Sequence, residues 1–234
     1  MKTSLIIPTL NEIDGVREVL PRIDPRWCDE ILVVDGGSTD GTVEWLRENG
    51  YRVIVQDVPG IGNAYRQAYR HTTGDVVVTF SPDGNSIPEL IPALVRKMSE
   101  GWDLVIASRY LGSARSEDDD WLTSLGNAFF TRTINLLFGG SYTDALVIFR
   151  AYRRDLIDRL GIDAPHMTYE AQISIRSARF GMKVAEIAGD EPRRIGGERK
   201  MHPFRTGWTI LREMGRELLR PRRLPGEAPG QRPS

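Results

Sequence analysis

Three short stretches of this sequence gather carboxylates, hydroxyls and glycines: Pro8-Thr9-Leu10-Asn11-Glu12, Asp35-Gly36-Gly37-Ser38-Thr39-Asp40-Gly41-Thr42 and Ser81-Pro82-Asp83-Gly84-Asn85. Each follows directly on an apolar run. A carboxylate placed there can hold a hard cation or accept a hydrogen bond, and a glycine beside it lets backbone approach a ligand closely. Ser38, Thr39 and Asp40 are by type helix-capping residues. Capping does not explain Asp35, which ends an apolar run before two glycines and suits a hydrogen bond to a ribose or base edge. Pro82 to Asn85 is strong turn chemistry, and a turn is compatible with a metal ligand at Asp83. A fourth stretch, Gly60-Ile61-Gly62-Asn63-Ala64-Tyr65, loosely matches the GxGxxG dinucleotide fingerprint, with Asp83 at roughly the right distance. Tyr65 stands where the third glycine should be, which argues against a nicotinamide cofactor. A glycine-rich helix start near a phosphate, with Gly62 at the close approach, fits equally well.

The elements that must hold these loops show as alternation. Ser4 to Pro8, Glu30 to Asp35, Tyr51 to Val55, Asp75 to Phe80 and Asp103 to Ala107 read as strands. Helical patterns fall between them at Glu12 to Leu20, Thr42 to Asn49, Asn63 to Thr72 and Ile87 to Glu100. Strands apolar throughout are buried on both faces, so the economical architecture is α/β, a mostly parallel central sheet flanked by helices. Ligands of such sheets sit beyond the carboxyl ends of the strands, where the polar stretches lie. After Arg109 the pattern changes. An acidic patch, Ser116 to Asp120, precedes a helix from Trp121 to Phe138. Asp144 to Phe149 reads as a strand, Tyr152 to Leu160 and Thr168 to Phe180 as helices, and Lys183 to Ile187 as a late strand. The last helix, Phe204 to Leu219, has apolar residues at 3–4 spacing. Residues 1–219 are expected to form a single domain, and the Pro- and Arg-rich 220–234 a disordered tail.

Composition excludes several classes. The chain has 234 residues with 31 basic against 32 acidic, a formal charge of -1. Nucleic-acid binding by bulk electrostatics calls for a basic excess that is absent. The single cysteine, Cys28, makes no disulfide framework, and the three histidines lack metal-ligand spacing. No apolar run approaches a membrane span, and no signal peptide is read at the start, so a cytoplasmic location is expected.

Taken in order, IIPTLNE, VVDGGSTDGT, PGIGNAYRQAYRHTTGD, SPDGNSIPE, ASRY, TDALVIFRAYRRD and RRIGGERK resemble family 2 glycosyltransferases of the GT-A (nucleotide-diphospho-sugar transferase) fold. The dolichyl-phosphate mannose synthase branch is the most similar, over roughly residues 3–200. The resemblance implies an inverting transfer of a sugar from a nucleotide-diphosphate donor. Pro8, Leu10, Glu12 and Asp35, with Ser38 beside them, would hold the nucleoside. The DxD-like motif falls on Ser81-Pro82-Asp83, which makes Asp83 the expected ligand of Mg2+ or Mn2+ bridging the donor diphosphate, with Asn85 adjacent to the metal. Arg194 and Lys200 match basic residues of a loop that closes over the donor phosphates, with Gly196 and Gly197 as hinges. Arg109 and Arg150 are further cationic candidates for the phosphates. Asp144 and Glu170 match acidic residues of the later motifs, and either serves as base for a hydroxyl acceptor. Glu170 equally suits a helix N-terminus.

The sequence departs from that pattern. Ser81 replaces the first DxD aspartate, which leaves the metal site one carboxylate poorer, and Gly36 replaces the second member of an acidic pair. Where polyprenyl-phosphate enzymes carry a basic residue before a Ser-containing helix, this chain reads Asp118-Asp119-Asp120. That cluster would repel an anionic acceptor if it lined the acceptor pocket. A polyprenyl phosphate and a small soluble hydroxyl compound therefore both stand as acceptors. The Phe204–Leu219 helix, with basic flanks, either rests on the inner face of a membrane or packs on the domain or a second copy. Two other readings are a sugar nucleotidyltransferase, which lacks here its glycine- and arginine-rich first loop, and a non-catalytic nucleotide-sugar binder, prompted by Ser81.

Overall fold

The computed structural model describes residues 1–196 and 201–224. Among these residues seven strands form one sheet: β1 (Thr3–Thr9), β2 (Glu30–Asp35), β3 (Val53–Val55), β4 (Val76–Thr79), β5 (Leu104–Ser108), β6 (Arg150–Arg153) and β7 (Val184–Ala188). Their order is β3-β2-β1-β4-β6-β5-β7. All pairings are parallel except those of β6, which runs antiparallel to both β4 and β5. Among the described residues eight α-helices flank the sheet: α1 (Ile13–Val19), α2 (Thr42–Glu48), α3 (Ile61–His71), α4 (Ile91–Met98), α5 (Trp121–Phe138), α6 (Arg154–Leu160), α7 (Tyr169–Arg179) and α8 (Pro203–Leu219).

Alternate residues of a strand point to opposite faces, and here both faces are apolar. On β1, Ile6 enters a core built with α3, α5, α6, α7 and α8, whereas Leu5 and Ile7 enter a second core with α1, α2 and α4. Chain order reverses between β1 and β4, so the loops after these strands diverge and leave a crevice at the carboxyl edge.

One expected strand moves. Residues 144–149 form a connection, and the strand is β6, beginning at Arg150. Because β6 runs against its neighbours, the residues before it arrive at the same edge as the ends of β1, β4 and β5. The reversal brings 144–149 to the crevice. The bounds of α5 coincide with the sequence expectation because both ends carry strong signals. Asp120 accepts from Thr123 N at 2.7 Å, and Gly139 closes the helix at φ 80°. Of the expected tail, Leu224 packs against the first core, and 225–234 lie outside the described residues.

Candidate active site

The crevice is a cleft of about 490 Å³. Pro8, Leu10, Glu12, Ser81, Asp83, Asn85, Arg109, Glu170 and Arg194 line it, so most of the sequence-expected set converges. Pro82 is buried beneath it, its carbonyl against Gly15 of α1, where a Cβ would lie only 2.4 Å away. Asp83 is 7% exposed, and thus not in an open turn. Its Oδ1 accepts from Ser81 Oγ at 2.9 Å and from Asn85 N at 3.4 Å, and Oδ2 lies 3.5 Å from the Arg194 guanidinium. Burial raises its pKa above the usual carboxylate value despite Ser81 and Arg194. Ser81 thus orients the remaining carboxylate through a hydrogen bond.

Each member of the acidic cluster has a defined task. Asp118 accepts from Arg194 Nη2 at 2.9 Å and Nε at 3.2 Å. Asp119 accepts from Arg109 Nη1 at 3.0 Å and from the Tyr110 hydroxyl at 2.7 Å. Asp120 caps α5. Asp118 and Asp119 do line the cleft, but each faces an arginine, so the bare repulsion expected of them is offset.

Arg109 is the centre of this network. It binds Asp144 through Nε at 2.6 Å and Nη2 at 3.1 Å, and Glu191 through Nη1 at 3.2 Å. Three carboxylates leave it no fork for a donor phosphate, so its expected phosphate role gives way to a structural one. Asp144 is fully buried. Burial works to raise its pKa, but Arg109 outweighs this and holds it below the usual range. A carboxylate that is buried, held by Arg109 and absent from the cleft lining is out of reach of an acceptor hydroxyl, so Asp144 leaves that role. Arg150, also expected near phosphate, is wholly buried and donates to the carbonyl oxygens of Val147 at 2.8 Å and Ala145 at 3.3 Å. It shapes the 144–149 connection.

Glu170, in the first turn of α7, remains at the cleft. It is 4% exposed, and burial pushes its pKa up to about 7 against the pull of Arg150. A carboxylate poised there can exchange a proton at neutral pH.

The residues assigned to the nucleoside divide. Pro8, Leu10 and Glu12 line the cleft, with Gly36 beside them. Asp35 is fully buried and saturated: Oδ1 accepts from Gly37 N at 2.8 Å and Ser38 N at 2.7 Å, and Oδ2 from Thr9 Oγ1 at 2.8 Å and Ser38 Oγ at 2.6 Å. Asp35 and Ser38 therefore hold the loop that presents Gly36, and neither lines the cleft. Asp40 caps only in part. It accepts from Thr42 N at 3.0 Å and also from Ile13 N at 3.0 Å, tying the second loop to α1. Gly62 is corrected too. Its N–H and that of Asn63 donate to the Pro165 carbonyl, and a Cβ on Gly62 would fall 2.0 Å from Ala164 O. The glycine serves close packing of α3 on the 164–166 segment, not a phosphate.

The glycosyl transferase family 2 profile matches residues 4–161. The chain belongs to glycosyl transferase family 2. It is similar to the dolichyl-phosphate hexose transferase of Haloferax volcanii, 32% identical over 222 residues that cover 94% of this chain and 95% of that protein. It is 28% identical to glycosyltransferase AglJ of the same organism, over 91% of this chain and 70% of the relative. The undecaprenyl-phosphate 4-deoxy-4-formamido-L-arabinose transferase of Enterobacter sp. (strain 638) is 31% identical, over 85% of this chain but 62% of its own length. Among solved structures, glucosyl-3-phosphoglycerate synthase from Mycobacterium tuberculosis in complex with Mn2+, UDP and phosphoglyceric acid superposes with a TM-score of 0.76. It is 24% identical and covers 94% of this chain and 79% of that one. The sheet is thus that of the GT-A fold, and the chain is a glycosyltransferase.

Among the described residues of this family 2 enzyme, no three His, Cys, Asp or Glu side chains stand together to hold a metal unaided. Asp83, with Asn85 two residues on, nevertheless fits Mg2+ or Mn2+. Such ions keep several waters and take one or two carboxylates plus substrate phosphates. Asn85 donates to Glu191 Oε1 at 3.4 Å, which fixes its orientation. Lys200 and Gly197 lie outside the described residues. Gly196 has φ 65°, and a Cβ there would press on Asp14. Glu191 is a charged cleft residue that sequence reasoning missed. It follows β7, whose parallel pairing with β5 delivers its carboxyl end to the same edge, so the rule that found Asp83 applies to it as well.

Proposed function

We propose that this enzyme transfers a sugar from a nucleoside-diphosphate donor to a polyprenyl phosphate, with inversion at the anomeric carbon. The observation that carries the reading is that the cleft lining mixes two kinds of group. Asp83, Asn85, Glu191 and Arg194 are charged or polar, and Leu122, Phe130 and Ile210 of α5 and α8 are apolar. A charged donor suits the first set and an isoprenoid chain the second. The relatives named for dolichyl-phosphate and undecaprenyl-phosphate transfer support that acceptor. The nucleoside would lie along Pro8, Leu10 and Gly36, with Asp35 and Ser38 holding that wall. Asp83 and Asn85 would hold a divalent cation, which would neutralise the charge of the departing diphosphate. Arg194, its pKa raised by Asp118 and Asp83 against the effect of burial, offers a permanent charge to the same oxygens. The acceptor phosphate is already an anion and attacks without a base.

Such an acceptor resides in a bilayer, so the reading includes a peripheral membrane contact. No helix of the described residues is long and apolar enough to cross one. A second reading, transfer to a hydroxyl, is favoured by Glu170 alone, the cleft carboxylate poised near neutrality. The decisive assay supplies labelled UDP- or GDP-sugars and Mn2+ with either polyprenyl phosphate or 3-phosphoglycerate. Label extracted into organic solvent is the expected result. Label found only on phosphoglycerate would overturn the lipid acceptor.

A further inference from the structure

One side chain of the cleft keeps an acceptor without a donor. Asn127 of α5 is 5% exposed and lines the cleft with Thr123 and Phe130, one turn before it and one turn after on the same helical face. Its Nδ2 donates to Asp144 Oδ1 at 3.3 Å. Its Oδ1 is buried and, among the described residues, accepts no hydrogen bond. The two ends of this amide are not interchangeable. Asp144 Oδ1 already accepts from Arg109 Nη2 at 3.1 Å and from Leu146 N at 3.3 Å. Arg109 also keeps Asp144 ionised, so the carboxylate has no proton to give and must face the amide's N–H. Oδ1 is thereby turned away from Asp144. The terminal torsion of an asparagine is soft, so a small rotation brings that oxygen to the cleft surface.

The helix itself shows that this position serves something other than helix formation. Gly126 and Asn127 stand together inside α5, and both residue types are poor in a helix interior. Gly126 also lines the cleft, and a Cβ there would meet nothing within 4 Å, so open space adjoins the amide.

The unmatched oxygen calls for a hydrogen-bond donor. A diphosphate and an isoprenoid chain bring none. Strand order places the rest of a nucleotide sugar. Strands lie about 4.8 Å apart, so Gly36, after β2, stands two spacings (about 10 Å) to one side of the β4 loop that carries Asp83. Arg109, after β5, and Asp144, before β6, stand one to two spacings to the other side. A donor with its nucleoside along Gly36 and its diphosphate at Asp83 therefore extends its sugar toward Asn127.

We propose that Asn127 reads the transferred sugar, its Oδ1 accepting a hydrogen bond from one sugar hydroxyl. The inference rests on the nucleotide-sugar donor of the proposed function and names a residue that selects among such donors.

The test is isothermal titration of the full chain with Mn2+, comparing UDP with UDP-glucose and GDP with GDP-mannose. The tighter-binding sugar nucleotide is then compared with its monodeoxy forms. The native chain should bind one deoxy form about tenfold more weakly than the parent, the scale of a buried polar group left without its partner. Asn127→Ala should bind the parent about tenfold more weakly and no longer distinguish it from that deoxy form. Its affinity for bare UDP and GDP should equal that of the native chain. A purely structural Asn127 would instead weaken nucleoside diphosphate and sugar nucleotide alike and leave the deoxy ranking intact, which would overturn the inference. Equal binding of every deoxy form by the native chain would overturn it without any variant. So would unchanged titrations in Asn127→Ala, which would leave Oδ1 to an ordered water. A raised KM for 3-phosphoglycerate in that variant, with sugar nucleotides bound as before, would assign Oδ1 to an acceptor hydroxyl and also overturn it. Native chain that binds none of the four nucleotides removes the donor reading itself, and the inference with it.

Discussion

At the residue scale, the proposed metal site rests on a single carboxylate, Asp83. Asp83→Asn keeps the turn and removes the charge. Turnover should fall at least about a hundredfold while the melting temperature changes little, because cation stabilisation of a leaving group is worth several kcal/mol. Arg194 stands 3.5 Å from the same carboxylate and competes with any incoming cation. Arg194→Ala should accordingly tighten Mn2+ binding in the absence of nucleotide, read by titration, and weaken nucleoside-diphosphate binding. Unchanged Mn2+ affinity would show that the pair does not control the site. Glu170 gives a pH signature. Its folded pKa, about 7, lies above the ordinary 4.5, so the native state retains a proton that the unfolded chain gives up. The resulting stability is fully present below about 4.5 and is lost as pH rises through 7, by at most about 3 kcal/mol. Glu170→Gln should flatten denaturation midpoints across that window and preserve transfer to polyprenyl phosphate. Loss of transfer by more than about a hundredfold would favour the hydroxyl acceptor instead.

At the element scale, strand-end loops position the site, and glycines permit its close packing. Gly62→Ala places a Cβ against the backbone carbonyl of Ala164, which cannot move aside as a side chain can. A loss of roughly 1–3 kcal/mol in chemical denaturation is expected. The loops bearing Asp83 and Glu12 were legible because apolar runs mark the strands and polar residues follow each one. Residues 144–149 were misread as a strand because their apolar run continues into β6 without a break, and nothing local announces that β6 is antiparallel. The Arg109 network was hidden for another reason. Its partners stand 10, 35 and 82 residues away, and only the β5 pairings with β6 and β7 bring them to one point. Sequence offered Arg109 as a cationic candidate for the phosphates, and the family resemblance offered Asp144 as a base through its place in the later motifs. Their mutual pairing disqualifies both.

At the scale of the whole molecule, one cleft at the switch between β1 and β4 is lined by charged residues from the strand-end loops and by residues of α5 and α8. The near-zero net charge excluded bulk electrostatic binding but concealed a local concentration of carboxylates at the cleft, where Glu12, Asp83, Asp118, Asp119, Glu170 and Glu191 stand with Arg109 and Arg194. The most direct test of the account is isothermal titration of UDP and of GDP, with and without Mn2+, into the native chain and Asp83→Asn. The account predicts that one nucleotide binds the native chain far more tightly with Mn2+ than without, and that the substitution abolishes that gain. Equal affinities in the two proteins, with the metal effect intact, would contradict it.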